Sequence, residues 1–263
     1  DWTMASDICE KKVDPDRLLN FVCELGIRLI RNGAEIYRVE ESISRVIHAY
    51  GYSDSEVFAI PSFIVTNILV DGKNYSKMVK VRTAGNNLER LSGINDLCRK
   101  ICSENIPIDE AEKKLREIVA RKTYPTALSY AAYGVVAAFF TLFYGGSALD
   151  AVISFFSGIV VKFVVSGTKK LKVNVFFSNI AASALLAVIP TLLSYLTSDI
   201  HLDKIIIGAI MLLVPGIAIM NVVRDILAGD MLTAVTKFAE AMLVAVGIAI
   251  GIAIPIAGFR FIF

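Results

Sequence analysis

Leu18, Leu19, Val22, Leu25, Leu29 and Ile30 recur three and four positions apart, the spacing that turns one helix face toward a core. Asp14 before Pro15 offers a capping side chain and then the residue best suited to the first helical position, and Gly33 predicts the stop. A second helix is expected over 34–50, closed by Gly51. The period then changes. Residues 57–70 and 75–82 read as two strands, joined by the turn-rich segment 71–74 into a β-hairpin. Helices return at 88–104 and 108–121. Asp109, Glu110 and Glu112 open the last of these, and Arg116, Arg121 and Lys122 close it, a polarity that suits the helix dipole. The order α-α-β-β-α-α predicts an α+β domain over 1–123.

The second half changes character. Five apolar segments stand out, at 125–144, 148–166, 173–196, 205–220 and 231–256. Crossing a bilayer takes about 20 apolar residues; the fourth segment is short and the fifth long. The expectation is an α-helical integral membrane protein with about five transmembrane helices over 124–263. Charge is divided accordingly: residues 1–123 hold 19 of the 27 Lys and Arg and 19 of the 25 Asp and Glu. Lys169, Lys170 and Lys172 fall in the second separator and Arg224 in the fourth, while the first has no basic residue. Under the positive-inside rule this puts the N-terminus in the cytoplasm and the C-terminus outside, in the plasma (inner) membrane. The first 20 or so residues show no sustained apolar core, so no export signal is expected.

The net charge of +2 does not suggest a nucleic-acid partner. Cys98 and Cys102 stand at i, i+4, but His48 and His201 supply no metal motif, and free thiols are the simpler reading. No P-loop, GxSxG, HExxH or paired CxxC is present. Neither an enzymatic activity nor a cofactor or metal is expected. The cluster Glu35, Arg38, Glu40, Glu41 and Arg45 reads either as the lining of a site or as a solvated face of i, i+3 and i, i+4 ion pairs, the second being favoured.

Candidate chemistry concentrates in 214–240. Asn221, Arg224, Asp225, Asp230, Lys237 and Glu240 lie between two apolar runs, where ionisable groups are costly and mark ion or substrate pathways. Pro215 and Gly216 sit deep in the fourth run and read either as a kink or as a break that exposes carbonyls to a cavity. Asp230, Ala234, Lys237 and Ala241 share a helix face, with Glu240 three residues after Lys237. Asp225 and Asp230 have only Arg224 as a local counter-charge, so one could titrate; the alternative places both in solvent at the interface. Gly247 and Gly251 form GxxxG, a packing face. Lys162 reads as snorkelling to the interface.

Asn32–Ser42 (NGAEIYRVEES), Ile60–Asn67 (IPSFIVTN) and Leu213–Asp230 (LVPGIAIMNVVRDILAGD) resemble the threonine/serine exporter family, and within it the larger YjjP-like subunit. The resemblance covers nearly the whole chain. It implies secondary export of threonine and serine, or of a dicarboxylate such as succinate, across the plasma membrane, with Pro215, Gly216, Asn221, Asp225 and Asp230 at pathway positions. Fused members continue into a second membrane half, which implies a smaller membrane subunit as partner here, and an oligomer. Coupling to an ion gradient, protons through Asp225, Asp230 or Glu240, is the matching expectation. The competing readings are a cytosolic sensor or enzyme domain on a membrane anchor, and an assembly subunit whose partner carries the transport site.

Overall fold

The computed structural model describes residues 13–82, 85–121, 124–197 and 199–262. It divides into two compact units: the described part of Asp1–Lys122 together with Asn221–Val235, and Thr123–Met220 together with Thr236–Phe263.

The first, the α+β unit, opens with α1 (Pro15–Arg31) and α2 (Ile36–Ala49), continues through strands β1 (Ser55–Ile60), β2 (Phe63–Val70) and β3 (Lys73–Lys80), and returns to helix in α3 (Leu88–Glu104) and α4 (Ile108–Ala120). Asp14 caps α1 as its sequence predicts, accepting the Arg17 N–H at 3.0 Å. Asn87 does the same for α3 through the Arg90 N–H.

The strands depart from the expected hairpin. There are three, antiparallel in the order β1-β2-β3, because Pro61 interrupts what reads as one long run. Ile60 pairs with Phe63 across a two-residue Pro61-Ser62 loop; proline has no N–H for a ladder and cannot sit inside a paired strand. The second turn is also tighter than expected. Val70 pairs with Lys73, leaving Asp71 and Gly72, at φ +50° and +78°, as a two-residue turn of the kind whose twist matches the flanking strands. Ile64, Thr66 and Ile68 of β2 point inward, and the core joins them to Leu25 and Leu29 of α1, Ile43 and Ile47 of α2 and Ile94 and Ile101 of α3.

The second, the helical unit, contains α5 (Thr126–Phe143), α6 (Ala148–Lys170), α7 (Val175–Ser194) and α8 (Leu202–Ile210). Two further helices pass between the units' segments: α9 (Gly216–Leu227) and α10 (Met231–Ile262). Among the described residues four helices are long and apolar enough to cross a membrane: α5, α6, α7 and Met231–Phe259 of α10. The expected fourth span is not one of them. It divides into α8 and α9, of 9 and 12 residues, around a non-helical stretch at 211–215. Phe139, Phe143, Phe163 and Phe177 are exposed on these helices, as suits side chains whose solvent is lipid.

Close backbone approach holds the helical unit together. A Cβ built on Gly208 of α8 would fall inside Thr141 of α5, and one on Gly251 of α10 would collide with Ser183 and the Ile180 carbonyl of α7. Gly251, half of the GxxxG pair, therefore lies at a true crossing. Lys162 of α6 extends its ammonium over the Tyr133 ring of α5, 4.6 Å from the centroid, so an aromatic face takes part in holding that charge.

Candidate functional site

The turn between α9 and α10 gathers the charge. Gly229, at φ +84°, takes the left-handed conformation that lets the chain reverse after Leu227. The Asp230 N–H donates to the Asp225 carbonyl at 2.9 Å, closing the turn. Asp230 then accepts the Thr233 N–H at 3.1 Å, and thereby caps α10. Asp225 and Thr233 are fully buried.

Within the same unit, the start of α2 meets this turn. Glu35 stands at the N-cap position of α2, yet its side chain makes no capping hydrogen bond. Its carboxylate is instead taken up by two arginines. Arg38 approaches Oε2 through Nε at 2.6 Å, and Arg224, 189 positions along the chain, donates from Nη1 to Oε1. The Glu35 side chain is 8% exposed, whereas those of Arg38 and Arg224 are 60% and 51% exposed. A nearly buried carboxylate between two cations that keep solvent access is strongly neutralised. Arg38 also donates to the Tyr37 hydroxyl; that bond and then Glu35 raise its pKa further.

One turn further along α2, Glu40 accepts the Ala59 N–H of β1 at 2.7 Å. Its carboxyl is pushed up from the ordinary value, chiefly by burial and further by the negative charge of Asp230, while the Ala59 hydrogen bond opposes the rise. Glu41 and Arg45 form an exposed i, i+4 pair at 2.6 Å. The charged face of α2 is thus mixed. Glu41 and Arg45 are the solvated pair the sequence suggests; Glu35 and Glu40 are structural partners of distant groups.

Of the residues singled out in 214–240, Asn221, Arg224, Asp225 and Asp230 fall in the α+β unit, with Asn221 half-buried on α9. Pro215, Gly216, Lys237 and Glu240 fall in the helical unit. Pro215 lies in the break, its carbonyl accepting the Ile219 N–H at 3.0 Å, and Gly216 opens α9. Lys237 is half-buried and Glu240 exposed on α10, while Ala234 and Ala241 of the same stripe are buried.

The helical unit contains a polar node that sequence reasoning passed over. Asp150, fully buried at the start of α6, accepts the Ser147 N–H at 2.7 Å and the His201 N–H at 3.0 Å, and its Oδ2 lies 2.9 Å from His201 Nδ1. A lone carboxylate opening an apolar run was the available signal. Nearby, the Thr141 hydroxyl donates to Ser154 at 2.7 Å. No group of three or more His, Cys, Asp or Glu suited to a metal exists among the described residues. Cys98 is buried, its thiol pushed up to about 12 by desolvation, and Cys102 is exposed.

The model of the ThrE family, described as "Putative threonine/serine exporter", matches residues 20–257. The chain is 23% identical over 245 residues to the "Probable threonine/serine exporter" of Mycobacterium tuberculosis, covering 92% of this chain and 46% of that protein. It is 26% identical over 251 residues to the "Threonine/serine exporter" of Corynebacterium glutamicum, covering 91% and 50%. It is also 26% identical over 257 residues to the "Probable succinate transporter subunit YjjP" of Escherichia coli, covering 95% and 98%. The chain thus spans about half the length of the two exporters and nearly all of the YjjP subunit. No solved structure matches it. The chain belongs to the threonine/serine exporter family, and four of its described helices are long and apolar enough to cross a membrane.

Proposed function

We propose that this chain is a subunit of a secondary exporter in the plasma membrane, moving a small polar metabolite: threonine or serine, or a dicarboxylate such as succinate. The observation that carries the reading is the α9–α10 turn. A fully buried Asp225, an Asp230 beside the half-buried Glu40, and an Arg224 bound to Glu35 put ionisable groups at the end of a helix that starts in a span break. Groups so placed are the usual means by which a transporter couples ion movement to substrate movement. The N-terminus is cytoplasmic and the C-terminus outside in this reading, on the basis of the lysine-bearing second separator.

Coupling is to protons. Asp225, Asp230 and Glu240 are the proposed carriers from the sequence; Glu40 joins them because burial, with Asp230 adding to it, raises its carboxyl above the ordinary glutamate value. Pro215 and Gly216 supply the break, and Asn221 and Lys237 are further pathway candidates from the sequence. The second subunit is a smaller membrane protein, by analogy with the relative named as a transporter subunit. Efflux of threonine, serine and succinate from cells expressing this chain, with and without the small membrane subunit of its own organism, tests the reading. Efflux only with both supports a two-component exporter, and efflux with this chain alone removes the partner from it. Efflux unchanged by Asp225→Asn and Asp230→Asn would sink the coupling role of those residues. A purified cytosolic portion that turns over a metabolite would favour the anchored-enzyme reading instead.

A further inference from the structure

Two guanidinium groups close on one carboxylate in the α+β unit, and that carboxylate belongs to the protein. Arg38 holds Oε2 of Glu35 at 2.6 Å and Arg224 holds Oε1. Arginine's planar fork carries five N–H donors and is matched to a carboxylate. Here Arg38 reaches one carboxylate oxygen through Nε and Arg224 the other through Nη1, so two cations hold the two oxygens of one carboxylate, whatever chain supplies it. Glu35 does not act as the cap of α2, although it occupies the cap position. Its carboxylate is 92% buried in side-chain terms, but both cations that hold it remain more than half exposed. An anion arriving from solvent would meet the arginines before it met Glu35.

We propose that Arg38 and Arg224 form a carboxylate-binding clamp, filled by Glu35 in this structure, and that a carboxylate-bearing substrate engages it by displacing Glu35. The ligand class is a small aliphatic carboxylate, which covers both hydroxy amino acids and short dicarboxylates; to that extent the proposal rests on the export reading above. The exchange keeps the charge balanced: one carboxylate leaves the two guanidiniums as another arrives, and no proton has to move. Glu35 is thus an internal competitor that keeps the clamp closed when no substrate is present. Because Arg224 lies on α9, three residues before the end of that helix, occupancy of the clamp is signalled directly to the α9–α10 turn. Glu35 itself is nearly buried, so exchange depends on the incoming carboxylate making the same contacts with both guanidiniums, which stay more than half exposed.

The test is equilibrium binding to the purified full-length chain in detergent, by calorimetry, with succinate and threonine as probes and the amide of threonine as the control lacking a carboxylate. Glu35→Gln is expected to tighten binding of succinate or threonine by about fivefold, because the competitor has lost its charge. Arg224→Gln introduced into that variant is expected to weaken binding by tenfold or more, and the threonine amide should bind neither. Glu35→Asp, which keeps the charge but shortens the reach, serves if Glu35→Gln does not fold, and should tighten binding to a smaller extent. The clamp is overturned if removing the Glu35 charge leaves binding unchanged or weaker, if Arg224→Gln has no effect on the tightened form, or if no variant binds either acid. Tighter binding in Glu35→Gln without efflux from cells would instead overturn the export reading and leave the clamp standing.

Discussion

In the α+β unit the largest side chains with almost no exposure are Leu18, Leu19, Leu25, Leu29, Ile36, Ile43, Ile47, Ile64, Ile68, Ile94 and Ile101. In the helical unit the fully buried positions are mostly small or hydroxylated: Ala137, Ala182, Ala187, Ala209, Thr141, Ser154, Ser157 and Ser183, with Val161, Leu186 and Ile205 the larger apolar exceptions. The same chain therefore builds its two interiors on different physics. Where the surroundings are water, removing large apolar surface is the main drive, worth about 1.5–3 kcal/mol for each Leu or Ile side chain fully buried. Where they are lipid, a leucine gains little by turning inward, since the tails outside are as apolar as the neighbouring helix. Close backbone contact and inter-helix hydrogen bonds take over. Phe139, Phe143, Phe163 and Phe177 stay outside for that reason.

The sharpest way to break this contrast is at Gly251. Leucine there would have to occupy the space of Ser183 and of the Ile180 carbonyl, and backbone cannot yield as a side chain can. Gly251→Leu is expected to abolish most of the monodisperse protein on detergent size-exclusion. Gly258→Leu, seven residues along the same helix with nothing within 4 Å of its added Cβ, should be tolerated. The matching change in the α+β unit is Leu25→Ala. It creates a cavity rather than a clash and should cost about 2–5 kcal/mol, read as lost hydrogen-exchange protection in α1 and β2 while α5 to α7 keep theirs.

A smaller effect separates polar from apolar support inside the helical unit. Asp150→Ala takes the acceptor from the part-buried Ser147 and His201 hydrogen bonds, a loss of about 1 kcal/mol, visible as a lowered melting temperature that Asp150→Asn partly restores. The smallest concerns pH. The Glu40 carboxyl is raised above its ordinary value by burial, so the folded state holds its proton to higher pH than the unfolded state does. Stability contributed by this group is therefore present at acid pH and lost as pH rises from the ordinary glutamate range through the raised value. Glu40→Gln should flatten that part of the melting-temperature profile; an identical profile in both proteins would show that Glu40 titrates as an ordinary surface carboxylate.

Local signals carried most of the fold. Asp14-Pro15 and the apolar spacing place α1, and Asp109 and Glu110 mark the first turn of α4, because capping and periodicity act over a few residues. Pro61 was equally local, but lay inside a run whose β-branched residues argued for one continuous strand. The fourth apolar run, short for a span in sequence, is divided in the structure at 211–215, next to the Pro215-Gly216 pair that offered either a kink or a break. The site was legible only in part. Arg224, Asp225 and Asp230 announced themselves as charges between apolar runs. Glu35 did not, because an i, i+3 neighbour in Arg38 made it look like half of a surface pair, and its second partner lies 189 positions away. Asp150 and His201, 51 positions apart, were hidden for the same reason. No spacing rule reaches across such distances.

The α+β unit is not continuous along the chain: the segment Asn221–Val235 that completes it is made only after Thr123–Met220. At roughly 5–20 residues per second, the ribosome needs on the order of 5–20 s to travel from the end of α4 to Asn221. Throughout that interval Glu35 has been made and Arg224 has not. The apolar helices α5 to α8 must be handed to the membrane first. Completion of the α+β unit thus reports that the intervening segments have been synthesised, and a fragment cut after residue 122 would lack Arg224, the farther of the two cations that neutralise Glu35. The α+β unit, although the first to be started, therefore cannot close its last native contacts until Asn221–Val235 has been made.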